Sequence, residues 1–290
     1  MKAIVRLLRP KQWVKNLFLF VPTFFAGNLF HADHLVRLLA GAAAFSLVAS
    51  GIYIINDYKD RHADRLHPRK RLRPIASGEV SENTAKFLMV LLPAAGLAWS
   101  AFIELNFFYL LSAYVVLNLG YSMGLKNVAI LDLFIVAFGF LLRIYSGGVI
   151  VDVPITDWLA VMILLLALFL VIAKRRDDLI ISTETGNQVV RKASRSYNLE
   201  FINSCLTLLS AVIIVAYIMY TVSTEVVERF QSSHLFMTTI FVIAGIMRYL
   251  QITFVEQDSG NPTSILYKDK FILVTIFGWI VSFYIIIYAV

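Results

Sequence analysis

Apolar residues run through this chain in long blocks rather than in alternating stripes. Nine such blocks fall at roughly 14–30, 36–56, 83–103, 106–123, 128–150, 156–173, 200–222, 234–255 and 270–289. Each approaches the ~20 residues that an α-helix needs to cross a hydrocarbon layer about 30 Å thick. The first block is the shortest, and Pro22 interrupts it. Lys2, Arg6, Arg9, Lys11 and Lys15 precede it much as cations precede a secretory leader, but no small-residue cleavage site follows, so it reads as a retained first helix. The pattern predicts an all-α, polytopic membrane protein with nine transmembrane helices and a single domain over residues 1–290. Two connections stand out as long and polar, near 57–82 and 174–199. They follow the second and sixth blocks, four apart, a spacing that suggests a duplicated four-helix unit, although similarity between the halves is weak.

Composition sharpens this picture. Hydrophobic residues make up 59% of the chain and charged residues only 16%, against about 25% charged in soluble domains. The single cysteine, Cys205, lies inside an apolar block, which excludes an internal disulfide and a cysteine metal cluster and assigns it to packing. A net charge of +7 invites a nucleic-acid reading, but the placement of the cations excludes it. Lys and Arg concentrate at every second connection, and the intervening ones contribute only Arg37 and Arg229. The positive-inside rule therefore puts the N-terminus in the cytosol and the C-terminus outside a bacterial inner membrane, in agreement with an odd number of crossings.

The chemistry concentrates after the second block, in Asn56-Asp57-Tyr58-Lys59-Asp60-Arg61-His62-Ala63-Asp64. If the helix continues through this segment, Asn56 and Asp60 lie one turn apart. Asp57, Asp60 and Asp64 then follow at i, i+3 and i+7, with Tyr53 one turn before Asn56. On a soluble helix such a pattern is usually a solvated face of ordinary ion pairs. Here it ends a membrane helix, where carboxylates are costly unless they are used. The basic run Arg69-Lys70-Arg71-Leu72-Arg73 comes directly after it. Mg²⁺ favours one or two carboxylates with the remaining positions filled by water and phosphate oxygens, so metal plus cations predicts a diphosphate site. Asn56, Asp57, Asp60 and Asp64 are the candidate metal ligands, and the three acids are the candidate catalytic residues.

Further cations suited to phosphate lie at the same membrane face. Lys126 is the only cation in the short turn Tyr121-Ser122-Met123-Gly124-Leu125-Lys126, and Lys15-Asn16 opens the first block. Lys174-Arg175-Arg176 precedes Asp177-Asp178 in the second long loop. Arg143 lies deep in the fifth block, where an arginine must face the interior and find a partner. Asp132, eleven residues away, is about 16 Å distant along a helix. The candidate phosphate-binding residues are Lys15, Asn16, Tyr53, Lys70, Arg73, Tyr121, Lys126, Arg143, Lys174, Arg175 and Arg176. His62 and His67 read as loop residues rather than bases.

The motif Asn56–Asp64 followed by Arg73-Pro74-Ile75-Ala76-Ser77-Gly78 resembles the first signature of the UbiA superfamily of intramembrane prenyltransferases. The nine-helix plan matches along nearly the whole chain. That resemblance implies a UbiA-type helical bundle with a central cavity open to the cytosolic loops and sideways to lipid, with Mg²⁺ and diphosphate held by the first signature. The usual second signature, Asp-x-x-Asp-Asp-x-Lys, is altered here, with Lys174 in place of the leading Asp and Arg176 adding a further cation. This change, with Arg9–Asn16, the Tyr121–Asp132 stretch and a weaker element at Asn261-Pro262-Thr263 with Lys268-Asp269, is similar to the decaprenyl-phosphate phosphoribosyltransferase branch.

The branch resemblance implies a Mg²⁺-dependent transfer of 5-phosphoribose from phosphoribosyl diphosphate (PRPP) to a polyprenyl phosphate, with membrane lipid as a further partner, no nucleic acid, and a homo-oligomer left open. The acceptor phosphate is already anionic, so no strong base is required, and back-side attack on an α-diphosphate gives a β-linked product. The competing expectations are an aromatic or quinone prenyltransferase and, more remotely, a lipid or solute transporter, whose polar groups belong at the midplane rather than at one face.

Overall fold

A computed structural model describes the chain except for residues 1, 30, 67–69, 186–195, 258–264, 266–267 and 289–290, and gives the backbone alone for 181–185. His67, Arg69 and the Asn261-Pro262-Thr263 element therefore lie outside the described residues. Among those residues every regular element is helical, and the chain divides into two compact units, Met1–Ile155 and Thr156–Val290.

Among the described residues, eight helical stretches are long and apolar enough to cross a membrane, four in each unit. In the first unit these are α3 (Ala32–Leu66), α4 (Glu82–Ile103), α5 (Leu105–Met123) and α6 (Leu131–Ile150). Ahead of them come two shorter helices, α1 (Lys2–Leu8) and α2 (Val21–Phe25). The second unit contains α7 (Asp157–Thr185), α8 (Leu199–Val222), the short α9 (Thr224–Phe230), α10 (Thr239–Gln251) and α11 (Lys270–Tyr288). Its third crossing, His234–Glu256, joins a 3₁₀ turn, α10 and the π-helical turn Ile252–Glu256. This is a multi-pass membrane protein, and in each unit the first long α-helix, α3 or α7, ends in a charged segment.

The first predicted segment is where sequence and structure part. It is not an α-helix over 14–30 but an eleven-residue 3₁₀ stretch, Pro10–Phe20, running into α2. Runs of 3₁₀ this long are uncommon. At about 2.0 Å per 3₁₀ residue and 1.5 Å per α residue, the two pieces rise roughly 30 Å, enough to cross the hydrocarbon in a form other than an α-helix. Gly147 of α6 lies so close to the backbone of Leu19 that an added Cβ would overlap the Leu19 carbonyl oxygen. The slimmer 3₁₀ coil brings its backbone into that groove. Asn16 and Leu19 are buried along it.

Lipid offers little hydrophobic drive for helix association, so close backbone contacts and polar links carry much of the packing. Gly96 of α4 sits against the Ala44 carbonyl and Val48 of α3, and Gly51 of α3 against Pro93 of α4. Around these contacts Leu38, Phe45, Val48, Ile52, Phe107, Leu111 and Ile150 form the core of the first unit. A smaller cluster of Leu7, Ile54, Ile75, Val80 and Ala85 anchors the loop after α3 to α1 and α4. In the second unit Tyr217 links α8 to its neighbours, exchanging a 2.6 Å hydrogen bond with Thr238 and accepting one from Trp279 Nε1 at 2.6 Å.

Two glycines give opposite outcomes on substitution. Gly147→Ala costs about 1–3 kcal/mol through overpacking against Leu19. At Gly245 an added Cβ meets only Thr275 Oγ1 at 3.6 Å, so Gly245→Ala leaves the melting temperature of the detergent-solubilised protein unchanged while Gly147→Ala lowers it by several degrees.

Candidate active site at the end of α3

With 35 residues, α3 is roughly 52 Å long, some 20 Å more than the hydrocarbon layer is thick. The excess carries the acidic motif out to the membrane boundary as continuous helix. Ser46, Ser50, Tyr53, Asp57, Asp60 and Asp64 recur at steps of four and three, which places them on one face. Asp57 and Asp64 are buried, whereas the Asp60 side chain retains 31% of its exposure. Arg61 turns away to Glu82 of α4, at 3.2 Å, and stacks on Tyr58.

Three cations from separate parts of the chain meet this acidic face. Arg9 Nη2 donates to both Asp57 oxygens at 2.6 and 2.7 Å, and its guanidinium lies 5.2 Å from the Tyr53 ring centre. Arg73 Nη1 donates to Asp57 at 3.0 Å and to Asp64 at 2.7 Å. Lys126 Nζ donates to both Asp60 oxygens at 2.7 and 2.9 Å and reaches Asn56 Oδ1 at 3.5 Å.

Local structure explains how each cation arrives. Arg9 adopts a left-handed backbone, φ 54°, between α1 and the 3₁₀ stretch. That conformation is rare for a residue other than glycine, rarer still before proline, and is held only where surroundings compensate. Arg73 is fixed because its neighbours Ile75 and Val80 are buried in the small cluster against α1 and α4, while Val80 N donates to the Pro74 carbonyl at 2.9 Å. Lys126 sits in the 3₁₀ turn Leu125–Asn127, entered through Gly124 at φ 149°, a value that glycine accommodates.

The 3₁₀ stretch is stitched to the same face of α3. Trp13 Nε1 donates to Ser50 Oγ at 3.1 Å, and Ser50 Oγ donates to the Leu8 carbonyl at 2.9 Å. Asn16 Nδ2 donates to Ser46 Oγ at 2.8 Å while its Oδ1 accepts from Arg143 Nε at 2.9 Å. Arg143 also donates to the Gly139 carbonyl at 2.6 Å and to Tyr114 Oη at 3.1 Å, with its guanidinium packed over Phe45 and Tyr114. The salt bridge to Asp132 weighed from the sequence is not among these contacts. Lys15 has no hydrogen-bond or ion-pair partner among the described residues, and the charges acting on it are those of Arg143 and Arg9.

Of the sequence-predicted residues, Asn56, Asp57, Asp60, Asp64, Tyr53, Arg73 and Lys126 are brought together. Asn16 and Arg143 are spent on each other and on neutral partners inside the unit. Lys70 lies in the short turn after α3 and Tyr121 in the last turn of α5, both partly buried. In the second unit Lys174 is exposed on α7. Arg175 donates to Asp178 at 3.2 Å, and Arg176 Nε donates to Asn203 of α8 at 2.9 Å. Sequence reasoning missed Arg9 as a site residue. The signal was charge balance, since Arg73 and Lys126 leave three clustered carboxylates one cation short.

The sequence profile of the UbiA prenyltransferase family matches residues 17–179, more than half of the chain. This chain belongs to the UbiA prenyltransferase family. It is 33% identical to the decaprenyl-phosphate phosphoribosyltransferase of Mycolicibacterium smegmatis over 96% of its own length and 90% of that protein. It is 30% identical to the enzyme of the same name from Corynebacterium glutamicum, over 96% of the chain and 84% of the relative. In fold it matches a UbiA homologue from Archaeoglobus fulgidus bound to GPP and Mg²⁺, with a TM-score of 0.72 at 21% identity, covering 98% of this chain and 99% of that one.

In this UbiA chain the donor set fits a hard divalent cation of the open kind. Among the described residues no three His, Cys, Asp or Glu side chains form a ready-made cage. The Asn56 and Asp60 oxygens instead converge on one point, which the Lys126 ammonium touches. One carboxylate and one amide carbonyl leave most of an octahedron for water and substrate oxygens, which is how Mg²⁺ is usually held. Asp57 and Asp64 are already matched by guanidinium groups.

Removing Arg9 isolates the weight of that match. Arg9→Ala destabilises the protein by about 2 kcal/mol, the size of a lost charge-assisted hydrogen bond to a buried carboxylate. Arg9→Ala combined with Asp57→Asn loses less than the sum of the single changes, as a double-mutant cycle in chemical unfolding checks.

Proposed function

We propose that this chain transfers 5-phosphoribose from PRPP to a polyprenyl phosphate of the decaprenyl type, releasing pyrophosphate in a Mg²⁺-dependent reaction at the cytosolic face of the bacterial inner membrane. The observation that carries this reading is the likeness, along almost the entire chain, to enzymes named for that transfer. The acid and cation arrangement at the end of α3 supplies the chemistry. Residues 1–290 serve as one catalytic domain.

Asn56 and Asp60 are the residues that would hold Mg²⁺, and Asp57 and Asp64 act one step back by fixing Arg9 and Arg73 beside that pair. A Mg²⁺ ion there would supply positive charge for the departing pyrophosphate. Lys126, adjoining the metal pair, and Lys15, a cation with no acid of its own, bind donor phosphates, with Lys70, Tyr53 and Tyr121 at the same level. Arg143 and Asn16 hold the 3₁₀ stretch, and so Lys15, in place. In the second unit Lys174, Arg175 and Arg176 are assigned to the acceptor phosphate or the 5-phosphate of the donor. The acceptor phosphate oxygen attacks ribose C1 from the side opposite the diphosphate. The C1–O bond to pyrophosphate breaks, and the product is β-linked. Because the attacking oxygen is already anionic, no residue has to remove a proton from it.

Charge placement supports the orientation. The cation-rich ends, including the one bearing Asn56–Asp64, face the cytosol, where a soluble phosphorylated sugar is found. The lipid acceptor then brings only its phosphate to that face while its isoprenoid stays in the bilayer.

The test supplies purified protein with PRPP radiolabelled in the ribose, Mg²⁺ and decaprenyl phosphate. Label passes into the lipid phase, stops when the metal is chelated, and falls by at least about 10²-fold in Asp60→Ala, the scale of a lost metal ligand. Lys174→Asp lowers transfer by about tenfold or more, because it sets a carboxylate where a cation is assigned to a substrate phosphate. Prenylation of an aromatic acid from a prenyl diphosphate, with no ribose transfer, replaces this reading with the aromatic prenyltransferase.

A further inference from the structure

Lys126 occupies an unusual position for a residue assigned to bind a substrate phosphate. Its ammonium is already bound, with both Asp60 oxygens at 2.7 and 2.9 Å and Asn56 Oδ1 at 3.5 Å. Those are the same oxygens that the metal needs. A lysine can hold them in only one way, as a point charge standing where the cation stands. Resting on the phosphoribosyl-transfer reading above, we infer that Lys126 is a latch which closes the Asn56–Asp60 pair to a bare divalent metal and releases it only to a metal carried in on the donor diphosphate.

Three features of the site support this. The first is the balance of charge. The cations at the end of α3 are Arg9, Arg73 and Lys126, one for each of the carboxylates of Asp57, Asp60 and Asp64. The acids are therefore already neutralised. A bare dication finds no net negative charge to draw it in, whereas a metal–diphosphate complex is anionic and finds these cations as partners. The second is the poverty of the donor set. One carboxylate and one amide do not strip water from Mg²⁺ by themselves, and to use even these the metal must first break the Lys126 pair. The third is the reach of the lysine. Lys126 stands on a three-residue turn behind Gly124, and its flexible stem lets the ammonium swing from Asp60 to a phosphate oxygen without moving a helix. The diphosphate thus provides Lys126 with a new partner at the moment its old one turns to the metal.

The consequence is a binding order. Metal and PRPP bind together, each raising the affinity of the other by the same factor, as linkage requires. Arg9 and Arg73 do not share this role, because their acids are buried and are not the metal pair.

The test reads metal binding without turnover. Wild-type protein in nanodiscs and the variants Lys126→Gln and Lys126→Met are titrated with Mn²⁺, without any phosphate, and bound metal is counted by electron paramagnetic resonance. Both variants bind Mn²⁺ about tenfold tighter than wild type or more, within the usual range of site coupling. Adding Asp60→Asn to Lys126→Gln abolishes the gain, and wild type is stabilised thermally by PRPP only when Mg²⁺ is present. Equal Mn²⁺ binding by wild type and both variants overturns the latch, and if label still passes from PRPP to lipid it does so without touching the proposed reaction. Mn²⁺ binding that ignores Asp60→Asn, with no stabilisation by PRPP and Mg²⁺, overturns both.

Discussion

Three carboxylates on the protruding end of one helix must be matched by positive charge, and most of the first unit is arranged around that requirement. α3 outruns the hydrocarbon by several turns and presents Asp57, Asp60 and Asp64 along a single face. Two of these are buried, and a buried carboxylate without a partner is not tolerated. The partners come from an N-terminal turn, from the loop after α3 and from the turn after α5. Each cation therefore ties a separate stretch of chain to the same helix end. Arg9 pins the start of the 3₁₀ stretch, Arg73 pins the loop whose Ile75 and Val80 sink into the small cluster, and Lys126 pins the hinge between α5 and α6.

The same requirement makes sense of the irregular first crossing. The backbone of Leu19 lies closer to α6 at Gly147 than any side chain there would allow. The 3₁₀ coil fits there, and its backbone is then held by Trp13 on Ser50 and Asn16 on Ser46, one turn apart on α3. Arg143 completes the arrangement from α6. Its charge is spread over a carbonyl, an amide, a phenol and two aromatic faces rather than an acid. Because none of these partners is an acid, the positive charge of Arg143 is not neutralised beside the segment that it fixes.

What the sequence made legible was whatever depends on local order. Block lengths gave the later crossings, and the spacing from Tyr53 to Asp64 gave the acidic face because the helix does continue through it. Lys126, isolated in a short turn, announced itself as a cation with work to do. Legibility ended where tertiary contact decides. Arg9 looked like one more topology charge among five, since nothing in the order of residues shows that its backbone turns left-handed and aims it at Asp57. The close seat of Leu19, near the end of the 3₁₀ stretch, depends on a glycine more than a hundred positions away. Asn16 and Arg143 carried the right residue types for phosphate binding, yet folding joins them to each other.

The polar ends of α3 and α7, one per unit, carry opposite chemistry, although the sequence pattern had set Lys174–Arg176 in a loop, and that contrast bears on how one fold serves different substrates. In the first unit the loop helix ends in acids whose oxygens suit a metal. In the second, Lys174, Arg175 and Arg176 stand ahead of Asp177 and Asp178, and Asp178 is already engaged by Arg175. A pair of acidic signatures suits two metals on one prenyl diphosphate. One acidic and one basic signature suits a single metal on a soluble diphosphate together with a second, metal-free phosphate. Under the proposed transfer, Lys174 sets the kind of anion that the end of α7 binds without altering the helical frame. One helical frame can therefore carry different chemistry through the charges set on it.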